Sequence, residues 1–192
     1  MRCFSCTKLS LNILCQKCQD TLFIPTVTKR TVGTLEVVSF FSYSAVESLL
    51  HTKHKPEGYR IYKALAKMTM CPFIEKFMET DDRRLAIIGV DERIKNGYSH
   101  VALLTHAMKY PNAVPLHASL MAKNGVSYSG KSLQYRLEHP REFVYHGPWG
   151  VDAILVDDII TTGITLQEAQ KVLLENGVNV LFALTLADAQ EK

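Results

Sequence analysis

The C-terminal end of the chain contains the pattern that most restricts its fold. Residues 152–156 contain an apolar run typical of a strand, residues 166–176 have the apolar spacing of a helix that Gly177 ends, and residues 178–186 are again strand-like. Two parallel strands need a crossover connection, and a helix supplies one. The sequence therefore predicts a βαβ unit and a parallel α/β sheet.

The rest of the chain agrees with a single α/β domain. Strands are predicted at residues 37–43, 85–90 and 113–116, and helices near Ala45, near Ile61 and from Val101. With 192 residues, 47% of them hydrophobic, the chain can bury one good-sized core. Residues 121–149 lose this periodicity, which predicts a long, partly helical loop with little core of its own. We expect the α/β domain to occupy residues 28–192, after a small module at residues 1–27.

Four of the five cysteines lie within this N-terminal module. They form two CxxC pairs, Cys3 with Cys6 and Cys15 with Cys18, separated by eight residues. Two such turns brought together offer four thiolates in the tetrahedral arrangement that suits Zn²⁺. A segment this short has too little core to fold without such a crosslink, so we predict a structural zinc site. The alternatives are four cysteines that only pack together or act in redox chemistry.

Polar residues follow the predicted strand at 152–156 directly. Asp157 and Asp158 come at the carboxyl end of that strand, where parallel sheets bind their ligands. Neighbouring carboxylates repel each other unless they accept hydrogen bonds, for example from the vicinal hydroxyls of a ribose, or face a hydrated Mg²⁺. Thr161, Thr162, Gly163, Ile164 and Thr165 then offer hydroxyls and helix N-terminal N–H groups to a phosphate. Thr165 and Glu168 match a capping box, which would start the helix where the phosphate binds. The alternative is an acidic turn followed by an ordinary helix cap.

A second cluster of charge lies near the middle of the chain. Lys53, Lys55, Arg60 and Lys63 are interleaved with Tyr59 and Tyr62, a composition that can hold single-stranded nucleic acid through phosphates and stacked bases. A solvated helix face explains the same pattern. The formal net charge of +3 does not by itself indicate nucleic-acid binding. No apolar run approaches the length of a membrane span, so we expect a cytoplasmic protein, or one peripheral to the inner face of the membrane.

Residues 154–165, ILVDDIITTGIT, resemble the signature of type I phosphoribosyltransferases. The resemblance implies that Asp157 and Asp158 hold the ribose of phosphoribosyl pyrophosphate. It also implies that the turn from Thr161 to Thr165 holds the 5′-phosphate, and that Mg²⁺ accompanies the ligand.

Almost the whole chain resembles one branch, the ComF-type competence proteins, which join a four-cysteine module to such a domain. Supporting stretches are the double CxxC, Tyr43 with residues 49–55, and residues 89–100. The resemblance implies a pyrophosphate loop at Asp91, Glu92 and Arg93. The positions that depart from the family's pattern are Gly89, Asp91, Asn96, Ser99 and His100. Lys131 and Arg136 would close over a pyrophosphate, or they are solvated loop cations.

The branch also implies a biological role. We expect a competence protein acting in DNA uptake during natural transformation, which binds single-stranded DNA and a phosphoribosyl-pyrophosphate-like ligand. The alternative is an active phosphoribosyltransferase whose acceptor the sequence does not identify. A third hypothesis is an adaptor that docks on a helicase or a DNA-uptake channel through its cysteine module.

Overall fold

A computed structural model of the chain describes residues 1–94, 96–125 and 133–190. Lys131, one of the two predicted loop cations, lies outside the described residues. Arg136 lies in a short helix, but its side chain is outside the description. No helix in the described part of the chain is long and apolar enough to cross a membrane.

The predicted α/β class is confirmed. The helices are α1 (Gln16–Thr21), α2 (Tyr43–Leu50), α3 (Pro56–Met68), α4 (Met70–Met78), α5 (His100–Ala107), α6 (Leu133–Glu138) and α7 (Ile164–Glu175). The strands are β1 (Thr28–Val32), β2 (Leu35–Ser42), β3 (Leu85–Gly89), β4 (Ala113–Pro115), β5 (Leu120–Ala122), β6 (Phe143–Tyr145), β7 (Asp152–Ile160) and β8 (Asn179–Asp188).

In the described residues, six strands form the main sheet in the order β1-β2-β8-β7-β3-β4. All neighbouring pairs are parallel except β1 and β2, which form an antiparallel edge. The central strands are buried on both faces because alternate side chains enter different cores. Ile154 and Val156 pack with α3, α4 and α5, whereas Ala153 and Leu155 pack with α7.

The predicted loop at residues 121–149 is structured at both ends. Strands β5 and β6 pair antiparallel, and they bury Leu120, Ala122, Phe143 and Tyr145 in the same core as α7. The expectation of little core was therefore wrong for these ends. It failed because each strand has only three residues, too few to show a period in the sequence.

The cysteine module packs directly on the α/β domain. Cys3, Leu14, Cys18 and Phe23 belong to the core that also contains Phe40 of β2. The N–H of Thr26 donates to the carbonyl of Phe40 at 2.7 Å, where the two parts of the chain meet. The domain boundary near residue 27 remains a prediction, but the two parts share one core.

Candidate ligand and metal sites

The acidic pair lies where the chain changes direction across the sheet. Strand β7 stands between β3 and β8, and the connections leave these strands toward opposite edges, from β3 to β4 and from β7 to β8. Such switch points open a crevice at the carboxyl ends of parallel strands. Asp157 and Asp158 lie near the carboxyl end of β7, beside this crevice.

Asp158 is buried, with 6% of its surface exposed, and three side chains converge on its Oδ2. Lys53 Nζ lies at 3.1 Å, the Tyr62 hydroxyl at 3.2 Å and His100 Nε2 at 3.3 Å. Burial alone would raise the pKa of Asp158, but Lys53 and His100 outweigh it and hold the pKa well below its usual value. The same pairing raises the pKa of Lys53. Asp158 is therefore an ionised carboxylate whose charge is balanced by the side chains around it.

Asp157 is in a different environment. It is partly exposed, and its Oδ1 accepts a hydrogen bond from the N–H of Asp158 at 2.8 Å. Burial and the charge of Asp158 raise the pKa of Asp157 to about 8, although that hydrogen bond, Arg141 and Lys53 act in the opposite direction. Asp157 is therefore reluctant to ionise until a donor or a cation approaches it.

The turn between β7 and α7 depends on a glycine. Gly163 has φ +82°, and a Cβ added there would lie 2.4 Å from Cγ1 of Val32. Thr161 and Thr162 are exposed, and Arg30 donates to the carbonyl of Thr161 while its Nε lies 3.1 Å from Asp188. The first N–H groups of α7 lack intrahelical acceptors, as in every helix, and are available to an anion at the helix start. The turn can therefore surround an anion.

The predicted capping box is absent. Gly163 is the N-cap of α7 and makes no side-chain cap bond. Glu168 instead accepts hydrogen bonds from the N–H groups of Arg141, at 3.2 Å, and Glu142, at 2.7 Å. Glu168 thus connects α7 to the segment before β6. It makes these tertiary contacts instead of capping its own helix.

The predicted pyrophosphate loop lies at the end of β3, but its side chains contact the protein itself. Glu92 is 5% exposed, and its carboxylate accepts from the Thr105 hydroxyl at 2.6 Å and the Ala118 N–H at 2.8 Å. Asp91, at φ +52°, accepts from the Ala122 N–H at 3.2 Å, and Arg93 donates to the Ala122 carbonyl. These bonds fasten the loop to β5 and to the segment before it.

The four N-terminal cysteines come together as predicted. Their sulfur atoms all lie within 4.8 Å of one another, with Cys3 and Cys18 at 3.9 Å and Cys6 and Cys15 at 3.6 Å. Thiolates about 2.3 Å from a tetrahedral Zn²⁺ lie about 3.8 Å apart, so the cluster has the dimensions of a metal site. The N–H of Cys15 donates to the sulfur of Cys3 at 3.3 Å. Burial opposes ionisation of Cys3, but backbone hydrogen bonds from Cys6, Cys15 and Ser5 lower its pKa to about 6.

The predicted nucleic-acid residues separate in the structure. Lys53 forms an ion pair with Asp158, and Lys55 is exposed in the loop before α3. Arg60 and Lys63, together with Lys67, line a groove of about 530 Å³ between α3 and the cysteine module. Lys63 Nζ lies 5.4 Å from the ring centre of Tyr59. Tyr62 is fully buried, so the expectation that it would stack with bases was wrong.

Sequence reasoning missed Tyr62 and His100 as partners of Asp158, and Arg30 as a partner of the Thr161 turn. Each lies on an element far from residues 157–165 in the chain, and no local pattern connects them. In the sequence, only His100 gave a sign of such a role, because it departs from the family's loop pattern.

Comparison with known proteins returned solved structures only. No protein-family model matches the chain, and no curated protein matches it. Leishmania donovani UMP synthase is similar over 73% of this chain and 24% of its own, with 14% identity and a TM-score of 0.41. Saccharomyces cerevisiae adenine phosphoribosyltransferase is similar over 84% and 83%, with 14% identity and a TM-score of 0.41. Mycobacterium tuberculosis orotate phosphoribosyltransferase is similar over 90% and 82%, with 15% identity and a TM-score of 0.40.

Proposed function

We propose that this protein binds a phosphorylated ribose, with phosphoribosyl pyrophosphate as the leading candidate, at the connection between β7 and α7. The observation that carries the proposal is the order of groups there: an acidic pair lies near the carboxyl end of the strand, and a threonine-rich turn with Gly163 at positive φ opens the helix. A carboxylate at this position accepts hydrogen bonds from ribose hydroxyls, and the hydroxyls and N–H groups of residues 161–165 surround the 5′-phosphate.

Mg²⁺ fits the same site. The oxygen donors beside the ligand are of the kind that a hydrated Mg²⁺ accepts, and the ion would neutralise the charge of the pyrophosphate. Asp157 is the partly exposed carboxylate there. The protein's own contribution is to hold the sugar and its phosphate in one orientation.

Isothermal titration calorimetry with phosphoribosyl pyrophosphate and Mg²⁺ tests this proposal. The double variant Thr162→Val/Thr165→Val removes two hydroxyls from the turn and should weaken binding by about tenfold or more, because hydrogen bonds to charged groups are lost. Thr28→Val is the matched control, since Thr28 is exposed at the start of β1. Absence of binding by the wild-type protein would exclude the proposal.

The alternative function, an active phosphoribosyltransferase, is tested in the same samples. Turnover would release pyrophosphate as C1 of the ribose is attacked. The side chains of Asp91, Glu92 and Arg93 already make hydrogen bonds with the protein's own groups, which favours binding over turnover. Pyrophosphate release dependent on Mg²⁺ and an added acceptor would reverse that preference.

We further propose that the protein acts in DNA uptake during natural transformation and binds single-stranded DNA. Two observations support this role besides the resemblance to ComF-type proteins. The groove beside α3 is lined by Arg60, Lys63 and Lys67, with Tyr59 available for stacking. The adjoining four-cysteine cluster, proposed here to hold a structural Zn²⁺, would fix the opposite wall. A helicase or a channel protein that passes on the strand is the proposed protein partner.

Fluorescence anisotropy with a labelled single-stranded oligonucleotide at several salt concentrations tests the DNA proposal. Arg60→Gln/Lys63→Gln should weaken binding and reduce the slope of log K against log salt by about 1.4, the value for two lost phosphate contacts. Lys76→Gln/Lys171→Gln removes two exposed lysines from other helices and serves as the control. Binding that is absent, or independent of salt, would exclude the proposal.

A further inference from the structure

Asp158 is held from three separate elements. Lys53 comes from the connection between α2 and α3, Tyr62 from α3 and His100 from the start of α5. All three lie within 3.3 Å of the same carboxylate oxygen, Oδ2. The side chain of Asp158 is 8% exposed, whereas that of Lys53 is 33% exposed. Asp158 is therefore enclosed, and its main cationic partner lies at the edge of the site.

The connection that carries Lys53 is itself fastened. The Tyr98 hydroxyl donates to the carbonyl of Lys55 at 3.2 Å, and Asn96 Nδ2 donates to the carbonyl of His54 at 2.6 Å. A Cβ at Gly58 would lie 2.0 Å from the Thr52 carbonyl oxygen, so the start of α3 packs closely against this connection. These contacts hold the backbone around Lys53 in position, and the Lys53 side chain extends from it to Asp158.

Asp157 faces the other side of the sheet. Successive side chains of a strand point to opposite faces, and Asp158 faces the core of α3 and α5. Asp157 therefore points toward the face covered by α7, whose buried residues pack in the second core. The Thr161 to Thr165 turn leads into that same helix. Asp157 and the turn consequently share one side of the strand end.

We propose that the two acidic residues have different roles: Asp158 is a structural anchor for Lys53, Tyr62 and His100, and Asp157 is the member of the pair that receives the ribose hydroxyls. This assignment rests on the proposed function of the site. A sugar hydroxyl that approached Asp158 would have to displace charge-assisted bonds, which are stronger than those of neutral groups. Asp157 is partly exposed and, within the described part of the chain, holds no such charge-assisted bond, so a sugar hydroxyl would meet its carboxylate without displacing a charged partner.

Matched substitutions separate the two roles. Ligand-free thermal unfolding and calorimetric titration with phosphoribosyl pyrophosphate and Mg²⁺ are measured for Asp157→Asn, Asp158→Asn and Lys53→Met. Asp157→Asn should weaken binding by about tenfold or more and should not lower Tm. Asp158→Asn and Lys53→Met should lower Tm by several degrees, because the first removes the anion that pairs with Lys53 and the second leaves the buried Asp158 without its main cationic partner. Their affinities should change by less than about threefold.

Tyr62→Phe keeps the test valid if Asp158→Asn fails to fold. It removes one hydroxyl from the cluster and should lower Tm slightly without changing the affinity. Lys171→Met, at an exposed lysine of α7, is the control for loss of a lysine. The assignment is overturned if Asp158→Asn or Tyr62→Phe weakens binding as much as Asp157→Asn does while Tm is unchanged. No binding by the wild-type protein would exclude the proposed function and the role of Asp157, whereas the Tm comparison would still decide whether Asp158 is an anchor.

Discussion

At the scale of single residues, the acidic pair shows how neighbours in sequence acquire different chemistry. The strand turns Asp158 toward Lys53 and His100, and turns Asp157 away from them. Asp158 is stabilised as an anion, whereas burial and the charge of Asp158 raise the pKa of Asp157. Asp157 can therefore accept hydrogen bonds at the site, and the pair avoids the energetic cost of burying two unpaired charges.

A pH dependence follows from the raised pKa of Asp157, which is about 8, whereas the ordinary pKa of an aspartate is 3.8. Between these values the folded protein binds more protons than the unfolded chain, so the contribution of Asp157 to the free energy of unfolding falls as pH rises toward 8. Asn does not titrate. We expect the Tm of Asp157→Asn, relative to wild type without ligand, to increase between about pH 5 and pH 8. Scanning calorimetry across this range measures the difference.

Asp82→Asn is the control for this measurement, because Asp82 is exposed before β3. Its Tm difference from wild type should stay constant over the same range. A constant difference for Asp157→Asn as well would mean that Asp157 is already ionised in the ligand-free protein.

Among the secondary-structure elements, β7, α7 and the turn between them depend most clearly on contacts with neighbouring strands. Its strand continues to Ile160, four residues beyond the predicted end at Val156, because β8 provides partners as far as Asp188. Its helix starts at Ile164 without a side-chain cap. The turn therefore depends on Gly163 and on contacts from β1 and its neighbours, including Val32 and Arg30.

Substitution of Gly163 tests that dependence. Gly163→Ala must keep φ near +82° and place a Cβ 2.4 Å from Val32 Cγ1. We expect a loss of about 2 kcal/mol or more, from the left-handed backbone together with the overlap. Gly150→Ala is the matched control, since Gly150 has φ +69° but no atom within 4 Å of the added Cβ, and it should cost only about 1 kcal/mol. Urea unfolding gives both values, and equal losses would show that the Val32 contact does not matter.

At the scale of the whole molecule, one core joins the cysteine module to the sheet. Cys3, Leu14 and Cys18 pack in the cluster that also holds Tyr62 and Val156. Through this core the module supports α3, the helix that contributes to both the groove and the contacts of Asp158. The four-cysteine cluster is thus a component of the domain's packing.

Removal of the metal should consequently affect the whole molecule. We predict about one Zn²⁺ per chain by elemental analysis, and Cys15→Ser should reduce this content and lower Tm by several degrees in a single transition. Cys71→Ser is the control, because Cys71 lies in α4, outside the four-cysteine cluster. Metal-free protein with the wild-type Tm would contradict the prediction.

Features that depend on neighbours along the chain could be predicted from the sequence. The α/β class followed from apolar runs and helical spacing, and the grouping of Cys3, Cys6, Cys15 and Cys18 followed from the two CxxC turns. Strand β1 and helix α4 were missed, as were β5 and β6. In β1, Lys29 and Arg30 interrupt any apolar run, and its pairing with β2 defines the strand instead.

The partners of the charged residues depend on contacts that form only in the folded protein. Lys53, Tyr62 and His100 are far from Asp158 in the chain, and Glu168 meets Arg141 rather than the start of its own helix. Such contacts arise when helices from distant segments pack on one face of a sheet, so no local periodicity encodes them. The physical reason is that a buried charge must find its partner wherever the fold brings one within reach.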